Sequence, residues 1–319
     1  MNFFELIQHQ YVLVIGDVML DRYLIGQYNR LNPEAPVPLV AIQSEENRLG
    51  GAANVALNLA SLGMNPLLLG IINDLDYEGK LFLDAMDSQN ISTDWIIKSN
   101  SRVTTTKIRI YAKDYYLLRY DRENIIPLTD AEICMVNNKI DQAFNHQIKA
   151  VIIEDYDKGL MNRQIIRIII DKAKSLGVPV LVDPKFRNFW EYEGVYLFKP
   201  NLKELNQSIG ASIKAYEKDK LKDAILYLRD KMPHQHTLIT LSEYGMVWMD
   251  EQEAWYEIEG IPIVTKDVSG AGDTVISVIT ASVLANLPIE ERIRLANEAG
   301  AKVCVQSGVV PIRKEDMQL

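Results

Sequence analysis

The stretch that decides the fold runs from residue 150 to 182, AVIIEDYDKGLMNRQIIRIIIDKAKSLGVPVLV. Residues 150–153 form a short apolar run, the pattern of a strand covered on both faces. An amphipathic stretch follows, predicting a helix over 162–176 that Gly177 closes as a C-cap. A second apolar strand, 178–182, comes at once. The same rhythm extends outward in both directions. Residues 11–16 (YVLVIG) read as a buried strand, 54–62 as a helix and 66–71 as a strand. Further on, 195–198 and 237–240 read as strands, then 271–285 and 289–305 as helices. Apolar strands alternating with helices predict an α/β fold of three layers, α/β/α, around a mostly parallel central sheet.

Two segments break that rhythm. Residues 39–43 and 104–111 (TTTKIRIY) alternate apolar and polar side chains, as half-exposed antiparallel strands do, and 115–120 (YYLLRY) continue the second segment. They predict a small β-sheet projecting as a lid, drawn from about 18–48 and 98–122. Repeats, low-complexity tracts and dividing linkers are lacking, so residues 1–319 read as a single domain.

Composition narrows the function classes. A net charge of −9 and a pI near 5.1 argue against nucleic acid as a partner. The N-terminal segment has neither a basic region nor a small-residue cleavage site, and apolar runs fall short of a membrane span, so no membrane partner is expected. Cys134 and Cys304 match no metal or redox spacing and are expected as buried small apolar residues. Sparse cysteine use suits a cytoplasmic location. His9, His146, His234 and His236 have no partners at ligand spacing, and the four tryptophans are expected to pack.

The chemistry concentrates at residues 267–274, DVSGAGDT, directly before an apolar helix. Gly270, Ala271 and Gly272 have almost no side chain, so anionic oxygens can approach their N–H groups at a helix N-terminus. Asp273, in the first turn, can accept the proton of an attacking hydroxyl where the phosphate is held. Taken alone, the motif reads equally as a Gly-rich turn with an ordinary N-terminal Asp. It is neither a lysine-bearing phosphate loop nor a dinucleotide fingerprint.

Its companions favour the chemical reading. Residues 50–54 (GGAAN) with Gly63, and DVSGAGDT near the other end, resemble the two motifs of the ribokinase (PfkB) family of carbohydrate kinases. The resemblance implies a ribokinase-like fold, ATP with Mg²⁺, Asp273 as base and an anion hole at Gly270, Ala271 and Gly272. It also implies sugar contacts from Asp17, Gly50, Gly51 and Asn54. Asp17 ends a strand, where open α/β sheets place ligands, although a turn or helix cap is the alternative for both Asp17 and Asn54. PNLKE at 200–204 is similar to the family's Asn-x-x-Glu element, so Asn201 and Glu204 would orient Mg²⁺, through water. Thr240, Ser242 and Gly245 resemble the nucleotide-binding turn, with Ser269, and Asn297 beside the adenine, completing the ATP contacts. A monovalent cation such as K⁺ near Asp267 is common in the family.

Between residues 102 and 122 stand six basic side chains, Arg102, Lys107, Arg109, Lys113, Arg119 and Arg122, against two acids, Asp114 and Asp121. A basic lid face would suit a substrate already carrying a phosphate; a solvated edge that deters strand pairing is the competing reading. GDVMLDRY at 16–23, NPEAPVPLV at 32–40, TTKIR, DYDKG at 155–159, DPK at 183–185, PNLKE and SEYGM resemble heptose-7-phosphate kinases of lipopolysaccharide-core synthesis. That resemblance implies phosphorylation of the anomeric hydroxyl of D-glycero-D-manno-heptose 7-phosphate. It implies a 7-phosphate held among Lys107, Arg109, Arg119 and Lys185, with Asp155 and Lys158 lining the sugar site. Many such kinases are fused to a nucleotidyltransferase; this chain ends at Leu319, so a separate nucleotidyltransferase is expected downstream. Glu154 stands where a small residue is expected, and Ser269 replaces a threonine. Tyr111, Tyr115, Tyr116 and Tyr120 fit either a homodimer contact through the lid or a cross-strand aromatic set. The competing functions are a kinase of another sugar or sugar acid, such as ribose or 2-keto-3-deoxygluconate, and a non-catalytic sugar- or nucleotide-binding regulator. An intact base speaks against the regulator.

Overall fold

The computed structural model describes residues 2–113 and 115–317; Asp114, one of the two acids of the basic window, and Leu319 lie outside the described residues. The first eight strands are β1 (Tyr11–Gly16), β2 (Val18–Leu31), β3 (Pro38–Gly51), β4 (Asn65–Leu69), β5 (Ile71–Ile72), β6 (Ile97–Lys98), β7 (Thr106–Ala112) and β8 (Tyr115–Arg122). The remainder are β9 (Ala150–Glu154), β10 (Val180–Asp183), β11 (Leu197–Phe198), β12 (His236–Thr240), β13 (Met246–Met249) and β14 (Trp255–Ile258). The helices are α1 (Phe3–Ile7), α2 (Ala52–Ser61), α3 (Tyr77–Ser88), α4 (Asp130–Phe144), α5 (Arg163–Ser175), α6 (Leu202–Ile209), α7 (Lys218–Lys231), α8 (Ala271–Leu284) and α9 (Ile289–Cys304).

The central sheet has the order β14-β13-β12-β11-β10-β9-β1-β4, parallel from β4 through β12 and antiparallel at β13 and β14. Alternation along each strand explains why both faces had to be apolar. Val12 and Val14 point into one core with α2, α8 and α9, whereas Leu13 and Ile15 point into the other with α4, α5 and α7. The result is a three-layer α/β/α domain.

The second sheet, order β3-β2-β7-β8, projects from it. Strands β2 and β3 make a long hairpin inserted between β1 and α2, and β7 joins β2 in parallel. The alternation at 39–43 marks only part of β3, because half of its fourteen residues are exposed and carry no apolar signal. Cys134 departs from its expected burial and is exposed on α4, while Cys304 is half-buried. No helix among the described residues is long and apolar enough to cross a membrane.

Candidate active site

Helix α8 is apolar on all sides and therefore buried; Ser277, Thr280 and Ser282 return their hydroxyls to carbonyls one turn back. Its N-cap, Gly270, has a left-handed φ of 82°. A Cβ there would lie 2.7 Å from Asn54 Nδ2, so both conformation and space require glycine. Helix geometry leaves the N–H groups of Gly272 and Asp273 without intrahelical acceptors, at the positive end of the dipole. They border a cleft of about 790 Å³ at the carboxyl ends of the parallel strands. A Cβ at Gly272 would make only ordinary contacts, 3.4 Å from Asp183 Oδ2 and 3.7 Å from Lys199 Nζ. Its absence leaves the backbone open to an oxyanion.

Asp273 is buried, and both its oxygens are engaged. Asn54 Nδ2 donates to Oδ2 at 2.8 Å, and the Tyr156 hydroxyl donates to Oδ1 at 2.8 Å. Burial raises the carboxyl above its ordinary pKa, the bonds from Asn54 and Tyr156 pull it down, and Asp183 raises it again. The outcome is a carboxylate fixed in orientation and more basic than one in water. Tyr156 in turn lies under two ammonium groups: Lys107 Nζ from the lid is 5.3 Å from its ring centroid and Lys185 Nζ is 4.9 Å away.

Glu154 and Asp183 are register neighbours at the ends of β9 and β10. Lys199, fully buried just past β11, pairs with Asp183 at 2.6 Å. Neither carboxylate oxygen of Glu154 accepts a hydrogen bond among the described residues. Burial, then the charges of Asp183 and Asp273, push the Glu154 carboxyl well up.

The remaining expected site residues divide by location. Asn201, Thr240, Ser242, Gly245 and Asn297 line the same cleft as Asp273. Asn201 and Glu204 form a reciprocal capping box on α6, and Glu204 also accepts from Lys185 at 2.6 Å. Asp17 spends its carboxylate on the backbone N–H groups of Tyr156, Lys158 and Leu160; burial, then Asp155, lift its pKa to about 6. With Lys158 it borders a neighbouring cavity of about 20 Å³. Asp155 accepts from Asn188, Tyr192 and its own turn, and Lys158 Nζ pairs with Glu123 at 2.8 Å. Gly50 and Gly51 pack against Asp21 and the backbone of Asp17, at the root of the lid.

On the lid, Lys107, Arg109 and Arg119 share one face. Arg109 is buried in an ion pair with Asp21, and Arg119 pairs with Asp121 at 2.9 Å in solvent. Burial lowers the pKa of Lys107. The Tyr23 hydroxyl accepts from the Val309 N–H, while Arg48 donates to the carbonyls of Ser307 and Val309. Ser269 N–H and Gly308 N–H both donate to Asp267, tying two loops together.

Residues 9–315 match the model of the pfkB family carbohydrate kinases. The chain belongs to that family. It is 36% identical over 323 residues to the bifunctional protein HldE of Methylobacillus flagellatus, covering 99% of this chain and 65% of that protein. It is 38% identical over 297 residues to the HldE of Vibrio vulnificus, covering 93% and 60%. The chain thus spans less than two thirds of the length of these relatives. The fold is shared with Escherichia coli phosphofructokinase-2 in complex with potassium, at a TM-score of 0.76, 18% identity and 97% coverage of each chain. Arabidopsis thaliana ribokinase complexed with ribose and ATP gives a TM-score of 0.71 at 19% identity, covering 97% and 98%.

Carbohydrate kinases of this family generally use ATP and Mg²⁺. The donor set fits a hard cation: a cluster of three buried carboxylates, Glu154 with both oxygens unspent, and no cysteine or histidine in that cluster among the described residues. Asn201 and Glu204 have committed their side chains to the capping box, so a cation would meet them through water. Sequence reasoning overlooked Tyr156 and Lys199. Their only signal is position, just past the ends of β9 and β11 on the ligand-binding side of the sheet.

Proposed function

We propose that this chain transfers the γ-phosphoryl group of ATP to the C1 hydroxyl of D-glycero-D-manno-heptose 7-phosphate, a step toward ADP-heptose for lipopolysaccharide cores. The observation that carries this reading is the meeting of Lys107 and Lys185 over Tyr156, whose hydroxyl is bonded to the base Asp273. Two ammonium groups one aromatic ring from the base suit a sugar bearing a phosphate away from its reacting end. Arg109, Arg119 and Lys185 are already paired, with Asp21, Asp121 and Glu204, which leaves Lys107 as the better phosphate ligand.

In the proposed reaction Asp273 accepts the proton of the C1 hydroxyl as its oxygen bonds to the γ-phosphorus. The bond from that phosphorus to the bridging oxygen breaks, and ADP leaves with the electron pair. The N–H groups of Gly272 and Asp273 hold the charge on the transferred group. Asn54 and Tyr156 keep Asp273 ionised and aimed. Mg²⁺, when bound, neutralises phosphate charge in this cleft. Thr240, Ser242, Gly245, Ser269 and Asn297 contact the nucleotide, and a monovalent cation such as K⁺ would be held near Asp267. Adenylyl transfer belongs to a nucleotidyltransferase outside residues 1–319. The exposed Tyr115, Leu118 and Tyr120 support a homodimer through the lid, which a monomeric mass in sedimentation would exclude.

A kinase assay over free and 7-phosphorylated sugars tests the acceptor. Turnover is expected with the heptose 7-phosphate; a low KM for ribose with no turnover of the heptose phosphate would refute the reading. Lys107→Ala should raise the KM for the sugar phosphate by about tenfold while sparing the KM for ATP.

A further inference from the structure

Glu154 lies beneath the cleft, beside the lining residue Asp183 in register, and the phosphoryl-transfer scheme leaves it without work. It is fully buried, yet neither oxygen is satisfied, a condition native proteins rarely tolerate without a ligand, ion or proton. One oxygen each from Glu154, Asp183 and Asp273 lie within 4.8 Å of one another. The partners of the other two acids are accounted for: Asn54 and Tyr156 bond Asp273, and Lys199 bonds Asp183. Three carboxylates therefore face one ammonium, a formal charge of −2. Lys185 is matched by Glu204 and does not change that balance.

This acidic floor adjoins the helix terminus that is to receive an anion, since Asp183 Oδ2 lies 3.4 Å from where a Cβ of Gly272 would stand. Phosphate and carboxylates of like sign can occupy such neighbouring positions only with positive charge between them. Lys199 supplies one unit, from the side of Asp183. The unspent oxygens of Glu154 mark where the rest belongs. An all-oxygen donor set beside a roomy cleft suits a small hard ion that keeps part of its water shell.

We propose that Glu154 and Asp183 form a divalent-cation site in the floor of the cleft, distinct from the Asn201–Glu204 pair, that accepts Mg²⁺ between the carboxylates and the incoming phosphoryl group. The site rests on the kinase reading of the cleft and is independent of which sugar is used. In it Asp273 remains free to act as base, and the ion replaces the proton that Glu154 would otherwise need.

The test uses the whole chain without nucleotide or sugar, and Mn²⁺ as a paramagnetic substitute, with free Mn²⁺ read by electron paramagnetic resonance. Wild type should bind Mn²⁺, and Glu154→Gln should weaken that binding by about tenfold or more. Glu154→Ser, which empties the position instead of filling it, guards against a folding defect in the first variant; it too should lose the ion while keeping a cooperative unfolding transition. Unchanged Mn²⁺ affinity in a folded Glu154→Gln would overturn the site and leave Glu154 as a buried neutral acid. Absence of binding by wild type would overturn it as well. Because no turnover is measured, either failure leaves the kinase assignment standing.

Discussion

Polar side chains are buried at both ends of the central sheet, on opposite terms. At the amino ends of the strands, His234 sits between the carbonyl of Met232 at 2.6 Å and Thr237 Oγ1 at 2.7 Å, and His236 accepts from the Trp248 indole at 3.3 Å. Both histidines are satisfied by neighbours in the chain itself. At the carboxyl ends, the ionisable side chains of Asp17, Glu154, Asp183, Lys199 and Asp273 are buried together, and neither oxygen of Glu154 accepts a hydrogen bond among the described residues. One end is finished by the chain itself, whereas the other is completed by what binds. Buried polarity in this protein is therefore structural or functional according to whether its hydrogen bonds close within the fold.

That contrast can be broken most sharply at Asp273. Asp273→Asn should keep ATP binding, measured by calorimetry, and lower kcat by at least about a hundredfold. Undiminished turnover would remove the base and with it the functional character of that end. The next effect is on stability. Burial depresses both His234 and His236 to a pKa of about 4. Their folded pKa lies below the unfolded value, so the unfolded state takes up protons first. The stability they contribute is complete above about pH 6.5 and is lost as pH falls toward 4. At pH 5 the loss should be on the order of 2 kcal/mol for each histidine. Urea unfolding at pH 7 and pH 5 reads it, and His234→Gln should remove its share; an identical pH slope in that variant would refute the account. Asp17 works in the opposite sense, because its raised pKa of about 6 makes its burial less costly as the medium acidifies. The smallest expected effect is at Tyr156. Tyr156→Phe removes a bond that holds Asp273 ionised, so the acid limb of the kcat profile should move to higher pH and kcat at neutral pH should fall by about tenfold. A profile that keeps its position would mean that the hydroxyl does not tune the base.

What could be read from the amino-acid sequence was what is local. The strands around residues 11–16 and 150–182 announce themselves because each is covered on both faces and so is apolar throughout. The glycine turn before α8 is equally plain, since positive φ and anion access demand small residues in a fixed order. Strand β2 was not legible. Its Asp21 and Arg22 look solvent-facing but are buried, Asp21 by its pairing with Arg109 some ninety residues on. Lys199 likewise reads as an ordinary surface lysine until Asp183 is placed beside it. Tyr156 lies inside the DYDKG stretch, which pointed to Asp155 and Lys158 instead, and only the packing of the turn after β9 brings its hydroxyl to Asp273. Cys134 failed for a related reason: its amphipathic helix turns that residue outward, and a single apolar residue does not declare its face.

The register of β1 has a consequence in time. It pairs on one side with β4 and on the other with β9, Tyr11 opposite Asn65 and Val12 opposite Ala150. During synthesis the strand leaves the ribosome well before its second neighbour, which follows only after more than a hundred further residues. At about 5–20 residues per second the wait is on the order of ten seconds. Through that interval an apolar strand destined for the middle of the sheet has one open edge, so the nascent chain is most exposed to aggregation and to chaperones before residue 150 emerges.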